Sequence, residues 1–337
     1  MAATTQSATT GPVPFRDIAG AVPLSGLPSD DDDPKRMPVL CYQGTWVLAP
    51  HLPGIVSIQR SFVPRRGDVV LASPPKCGTT WLKALAFATM ARGAYPPTRA
   101  NEHPLARLNP HDCVPFMETL FFDGEGLSKM DALPSPRLMA THMHHSILPA
   151  SIKDSADCKI IYICRDPKDM VVSLWHFARR AQPELSFAYM FEDFCNGTSA
   201  AGPIWDHVLG YWNASKEKPE KVLFLRYEEM LRDPVGNVRK LAQFVRQPFS
   251  PTEEEAGVAM DIVRLCNFDT LRNLGVNKAA AGSSSSSPSP SSSPFANDSY
   301  FRKGEDGDWA NHVTPDMARR LDAVVEEKLR GSGLSFA

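Results

Sequence analysis

The stretch SPPKCGTTWLK, residues 73–83, sets a lysine, a glycine and two threonines where an apolar run gives way to a helical pattern. Backbone N–H groups from Lys76 to Thr80 can converge there on one anion, helped by the positive end of the helix dipole. Gly78 lets a ligand approach the backbone closely, Lys76 adds a full charge, and Thr79 and Thr80 add hydroxyl donors. The loop departs from the nucleoside-triphosphate pattern G-x-x-x-x-G-K-[ST], because its glycine follows the lysine. Two more clusters suit a phosphorylated ligand. CRDPKDMVVS (164–173) offers Arg165, a bidentate phosphate partner, with Ser173 two turns along the next helix. FRKGEDGDW (301–309) sets Arg302 and Lys303 beside Gly304. Taken singly, each also reads as a solvated surface charge group. A fourth cluster, ATHMHHSILP (140–149), brings His142, His144 and His145 to the end of an apolar run. It lacks metal-ligand spacing, so a general base is the better reading than a metal site. An imidazole with the ordinary pKa of about 6.5 is mostly neutral at pH 7 and can take a proton. A continuing strand would put His142 and His144 on one face, so spacing leaves both open.

The elements that must position these groups are legible as alternating strands and helices. DVVLA (68–72), RLMAT (137–141), KIIYIC (159–164) and KVLFLR (221–226) are near-continuous apolar runs, suited to a parallel sheet covered on both faces. Helical patterns fill 79–92, 167–181, 203–217 and 233–245, with Pro167 and Pro234 just inside helix starts after an aspartate. This alternation predicts an α/β fold: one domain over 41–337, with a central parallel sheet flanked by helices on both faces. An amphipathic helix over 314–331 closes it. Ligands of such sheets bind beyond the carboxyl ends of the strands, where the lysine loop, Arg165 and the histidines fall. Residues 1–40, with Pro-rich stretches and the run Asp30–Asp33, read as a disordered N-terminal arm. Residues 279–299, rich in serine and proline, read as a flexible loop inside the domain.

Composition removes several function classes. Lys and Arg total 36 against 38 Asp and Glu, without the basic excess of a nucleic-acid or membrane-surface protein. No apolar run approaches the roughly 18 residues of a membrane span, and the N-terminus has no secretory signal pattern. The 7 cysteines are odd in number and scattered, as expected of free thiols in a reducing cytoplasm rather than disulfides or a zinc site.

Taken together and in order, the four clusters resemble the cytosolic sulfotransferase family, most closely its plant members, from YQGTW at Tyr42 to the last helix. PPKCGTTWLKAL is similar to the phosphosulfate loop PKSGTTWLKAL, and ATHMHH to the THLP-type catalytic segment. CRDPKDMVVSLWHF matches R-[DN]-P-K-D-x-x-V-S, and FRKGEDGDW matches RKGxxGDW. The resemblance implies a P-loop-like fold that takes 3′-phosphoadenosine-5′-phosphosulfate and transfers its sulfuryl group to a hydroxyl by in-line displacement, without a metal. It selects His142 as the base. It implies that Lys76 meets the bridging oxygen under restraint by Ser173, while the amides and hydroxyls of Cys77, Gly78, Thr79 and Thr80 cradle the 5′-phosphate. Arg165, Ser173, Arg302, Lys303 and Gly304 are implied for the 3′-phosphate. Trp81, Tyr227, Cys266 and Phe268 are implied around the adenine.

Departures from the pattern carry expectations of their own. Cys77 replaces the commoner serine, so one hydroxyl contact is lost, and Ala140 stands where many animal members have a lysine. Met143 and His144 replace a Leu–Pro pair at the acceptor mouth. The animal dimer motif K-x-x-x-T-V-x-x-x-E aligns to Ala310, Thr314, Pro315 and Arg319, where only the threonine survives, so a monomer is expected. The expected acceptor is a small hydrophobic hydroxyl compound such as a flavonoid, phenol or steroid-like molecule, against Trp46, Phe116, Met143 and Phe177. The loop over 279–299 is expected to gate it. Other readings of the same residues are a non-catalytic nucleotide- or metabolite-binding protein on this fold, or an ATP-using P-loop transferase; intact Lys76 and His142 and the missing loop glycine weigh against them.

Overall fold

Side chains alternate along the strands between two buried cores, and that alternation fixes the architecture. The computed structural model describes residues 11–19, 39–121, 125–278 and 296–336. A hairpin of β1 (Val39–Tyr42) and β2 (Thr45–Leu48) stands beside a parallel sheet of β3 (Val69–Ala72), β4 (Leu138–Thr141), β5 (Lys159–Cys164) and β6 (Val222–Arg226). The order across this sheet is β4–β3–β5–β6, so the chain crosses β3 on its way from β4 to β5. Val70, Ala72, Met139, Ile160 and Tyr162 face one core, whereas Val69, Leu71, Leu138, Ala140 and Ile161 face the other. Helices Pro167–Ala178, Ile204–Glu217 and Pro315–Leu329 cover the first face through Val171, Tyr211 and Leu321. Helices Thr79–Met90 and Pro234–Phe244 cover the second through Leu85 and Leu241.

The helix starts follow the capping chemistry written in the chain. Asp166 accepts from Lys168 N ahead of Pro167, and Asp233 accepts from Gly236 N ahead of Pro234. Thr314 does the same for the last helix. Each such cap satisfies an amide that the helix itself leaves unpaired, worth about 1 kcal/mol.

Two expectations need correction. The arm expected over 1–40 is not free along its length: Gly11–Ala19 packs on the domain and contains a short helix, Phe15–Ala19. Phe15 is buried, and Arg16 and Asp17 pair with Asp112 and Arg107. At Gly11 an added Cβ would stand 2.2 Å from Met90 O, so the segment lies directly on the end of helix Thr79–Met90. The apolar Val13 and Phe15 explain the docking, which a reading of the arm by its polar composition overlooks. The Ser/Pro loop expected over 279–299 lies outside the described residues as far as 295. Its end does not read as flexible, because Asn297–Tyr300 forms a 3₁₀ turn in which Ser299 is buried and Asn297 Nδ2 donates to Val276 O.

The amino ends of β3 and β4 are held by a fully buried ion pair. Asp68 accepts from Arg137 Nε at 3.1 Å and from Arg65 N at 2.7 Å, and its side chain and that of Arg137 are both 0% exposed. Breaking one side of such a pair strands a charge out of water and costs about 3–5 kcal/mol. Arg137→Met should therefore lower stability by about 3 kcal/mol or more, read by urea unfolding at constant m-value. A loss under about 1 kcal/mol would mean that the pair holds nothing.

Candidate functional site

β3 ends at Ala72, and the loop behind it is organised by Ser73. Its N–H donates to Thr141 O, its hydroxyl pairs with Thr79 Oγ1 at 2.7 Å, and its carbonyl accepts from His142. Lys76 and Gly78 both take left-handed backbone, at φ 66° and 89°, the kind of geometry from which anion-binding concavities are built. Gly78 heads helix Thr79–Met90 with no side chain capping it. A Cβ there would meet Tyr227 Cδ2 at 2.6 Å, so Tyr227 packs on bare backbone. The side chain of Cys77 is fully buried in the core rather than turned to the cleft, and burial pushes its thiol pKa up. The expected loss of a hydroxyl contact at this position is corrected accordingly: a serine side chain placed there would enter the core.

Lys76 Nζ sits 4.1 Å above the ring of Phe177. Burial, then the neighbouring charges of Arg302, Arg165 and Arg180, lower its pKa to about 7. The site thus strips its own lysine of part of its charge, and any anion placed among these cations would restore it.

The choice between the histidines follows from where β4 stops. The strand ends at Thr141, so His142 and His144 do not share a face. His142 lines the cleft, while His144 is buried and its Nε2 donates to Ala201 O at 2.9 Å. A carbonyl only accepts, so the 2.7 Å contact of His142 Nδ1 with Ser73 O puts the ring proton on Nδ1 and leaves a lone pair on Nε2. Burial lowers the pKa of His142 to about 3; the Ser73 carbonyl opposes this and Lys83, His51 and Lys76 add to it. Glu118 fixes the segment by accepting from Thr141 Oγ1 at 2.7 Å and His142 N at 2.5 Å. Among the described residues, no group of histidine, cysteine and acidic side chains could hold a metal.

The second cation cluster is tied down by carboxylates. Asp308 bonds both Arg302 and Lys303, the latter at 2.5 Å. Burial works against its charge, yet the bonds from Lys303, Arg302 and Asn311 hold its carboxyl well below the usual range. Asp169 accepts from Gly307 N and Trp309 N and lies 3.3 Å from Arg165 NH2. Arg165 is buried over the ring of Tyr227, and its Nε has no hydrogen-bond partner. Trp81 meets Tyr227 edge-on at 5.8 Å. At Gly304, φ 75°, a Cβ would overlap Phe268 Cδ2 at 2.5 Å, so glycine alone lets that ring lie against the backbone.

One cleft of about 620 Å³ joins these groups. Lys76, Gly78, Thr79, Thr80, Trp81, His142, Arg165, Ser173, Tyr227, Phe268, Arg302, Lys303 and Gly304 line it, as do Phe116 and Phe177. Cys266, Trp46 and Met143 do not. Cys266 and Met143 point into the two cores, and Trp46 sits on β2, whose backbone bonds to Ala201 and Gly202. Sequence reasoning missed Phe15, His51, His111 and Glu118 in the wall, and Asp169 and Asp308 behind it. The acid in GDW and the one after Pro-Lys were visible signals, since cations gathered without anions repel.

A family model described as a sulfotransferase domain matches residues 66–333. Over 319 residues the chain is 42% identical to cytosolic sulfotransferase 5 of Arabidopsis thaliana, covering 93% of this chain and 95% of that protein. It is 43% identical over 306 residues to flavonol 3-sulfotransferase of Flaveria bidentis, covering 89% of this chain and 94% of that one. A crystal structure of a mouse sulfotransferase complexed with PAP superposes with a TM-score of 0.66 at 27% identity, covering 88% of this chain and 95% of that one.

The Ser73 contact predicts that His142 is neutral and protonated at Nδ1 at pH 7, without titrating between pH 5 and 8. A ¹⁵N histidine spectrum showing a proton on Nε2, or titration near pH 6.5, would overturn that assignment.

Proposed function

The chain belongs to the sulfotransferase family, and we propose that it transfers a sulfuryl group from 3′-phosphoadenosine-5′-phosphosulfate to a hydroxyl of a small hydrophobic acceptor. The observation that carries this reading is the convergence, in one cleft, of Lys76, an uncapped helix N-terminus and His142 with its Nε2 lone pair free. The cleft fits the donor in chemistry: the cationic side chains of Lys76, Arg165, Arg302 and Lys303, an orphaned Arg165 Nε, and glycine backbone at 78 and 304 where side chains would collide with rings.

When bound, the donor supplies an activated sulfuryl group. His142 takes the acceptor hydroxyl proton at Nε2, which its low basicity in the closed site releases readily afterwards. Lys76 and the N–H groups of residues 77–80 meet the charge that develops on the departing phosphate. Ser173 shares the wall with Lys76. Arg165, Arg302, Lys303 and the Gly304 N–H hold the 3′-phosphate, and Trp81 and Phe268 flank the base. ATP lacks a 3′-phosphate and leaves that second cluster unsatisfied. Phe116 and Phe177, joined by Phe15, Leu48 and Leu120, form an apolar wall suited to a flat phenolic, flavonoid or steroid-like acceptor. Relatives named cytosolic, and the loss of all but Thr314 from the dimer motif, support a cytoplasmic monomer.

Two measurements test the reading. His142→Ala should lower turnover about 10²–10⁴-fold and still bind adenosine 3′,5′-bisphosphate; turnover at the wild-type rate would defeat the base assignment. The bisphosphate should raise the Lys76 pKa from about 7, so that binding takes up a proton. Affinity should then fall as pH rises above 7, by up to about tenfold per unit. Lys76→Met should flatten that slope, and an unchanged slope would place the titrating group elsewhere.

A further inference from the structure

Lys83 is wholly buried in the middle of helix Thr79–Met90, two positions beyond Trp81, and nothing in the reaction above uses it. Its Nζ lies 2.9 Å from His111 Nδ1, and His111 Nε2 lies 2.9 Å from Thr80 Oγ1. The His111 ring packs against two others, stacked with Phe116 at 5.4 Å and tilted against Tyr300 at 4.2 Å. The lysine, the histidine and the threonine therefore form one chain of hydrogen bonds that runs from the core to the floor of the donor loop.

We infer that Lys83 and His111 are positioning residues that aim the Thr80 hydroxyl proton at the anion bound by the loop. This rests on the donor-site reading and extends it to two residues behind the wall. Charged or neutral, Lys83 has N–H groups to donate, and at 2.9 Å it donates one to His111 Nδ1. The imidazole then carries its own proton on Nε2 and donates to Thr80 Oγ1. With that lone pair engaged, the Thr80 O–H turns outward into the cleft that Thr80 lines. Thr79 is differently placed: its hydroxyl is occupied by Ser73 at 2.7 Å.

The surroundings act on the charge of Lys83 in opposite directions, but a lysine nitrogen carries N–H groups to donate in either form. Its Nζ is 3.4 Å from the centroid of Phe116, a cation–π contact in a dry setting. Burial lowers the pKa of Lys83 well below its usual value, and the nearby carboxylates of Glu118 and Asp112 work against this. His111 and His142 face the same pocket. Burial, then Lys83, His142 and Lys76, lower the pKa of His111, which leaves the ring neutral and able to accept on one nitrogen while donating on the other. Each bond in such a chain polarises the next, so a hydroxyl backed by the chain is a stronger donor than an isolated one.

The test is a double-mutant cycle on binding of adenosine 3′,5′-bisphosphate by the full chain, read by calorimetry. Thr80→Val should weaken binding roughly tenfold, the usual scale for one hydrogen bond to a charged group. His111→Phe keeps the stacking between Phe116 and Tyr300 but removes the relay, and should weaken binding to a similar extent. His111→Gln, which can accept from Lys83 and donate to Thr80, should stay within about twofold of wild type. Lys83→Met should behave like His111→Phe. Combining His111→Phe with Thr80→Val should add little to either alone, because both remove the same bond. Losses that multiply to about a hundredfold would mean independent effects and overturn the inference. So would wild-type affinity in His111→Phe, or a His111→Gln protein as weak as His111→Phe. A wild-type chain that fails to bind the bisphosphate instead overturns the donor-site reading on which the inference stands.

Discussion

The 2.7 Å hydrogen bond from His142 Nδ1 to the carbonyl of Ser73 is the contact on which the chemistry of the cleft depends. Ser73 is the first residue after β3 and His142 the first after β4, and the two strands are in register at Ala72 and Thr141. Ser73 also ties its amide to Thr141 and its hydroxyl to Thr79. One residue thereby fixes the spacing between the loop after β3 and His142, and sets which imidazole nitrogen faces the cleft. Strand register, which is a property of the core, becomes the tolerance of the cleft.

A second constraint is charge. Lys76, Arg165, Arg302 and Lys303 share one cleft wall, and such a group would disperse without anions to hold it. Asp308 and Asp169 supply them from behind, bonded to cations and backbone alike. The arrangement is deliberately incomplete. Neither carboxylate acts on Lys76, whose shift has no carboxylate among its causes, so that lysine yields part of its charge. The site is assembled in advance for a ligand with several negative groups.

The strands were legible because residues buried on both faces leave uninterrupted apolar runs, and β5 coincides with its run KIIYIC. The turn from β3 into helix Thr79–Met90 was legible because a glycine followed by two threonines after an apolar run suits a helix start. Other features depend on tertiary facts that a linear pattern does not carry. Spacing could not separate His142 from His144, since the answer is that β4 stops at Thr141. Cys77, Cys266 and Met143 sit beside cleft residues in the chain but turn inward, because alternate residues of a tight turn face opposite ways. Lys83 and His111 are 28 positions apart, and nothing in either segment announces that they meet. The segment Gly11–Ala19 was hidden by polar neighbours that mask two apolar residues.

That segment has a consequence for how the molecule can change. Phe15 and Arg16 form part of the cleft wall, in a segment held by the buried Phe15 ring, by Gly11 lying on Met90, by Val13 and by ion pairs to Asp112 and Arg107. Surface pairs contribute about 0–1 kcal/mol each, and one buried phenylalanine about 1.5–3 kcal/mol. The panel is therefore mounted apart from the sheet. The loop after β3 is built on strand ends and cannot be altered without disturbing the sheet, whereas this panel rests against the domain from outside it. The two sides of the cleft thus have separate supports, strand ends for one and the Gly11–Ala19 segment for the other.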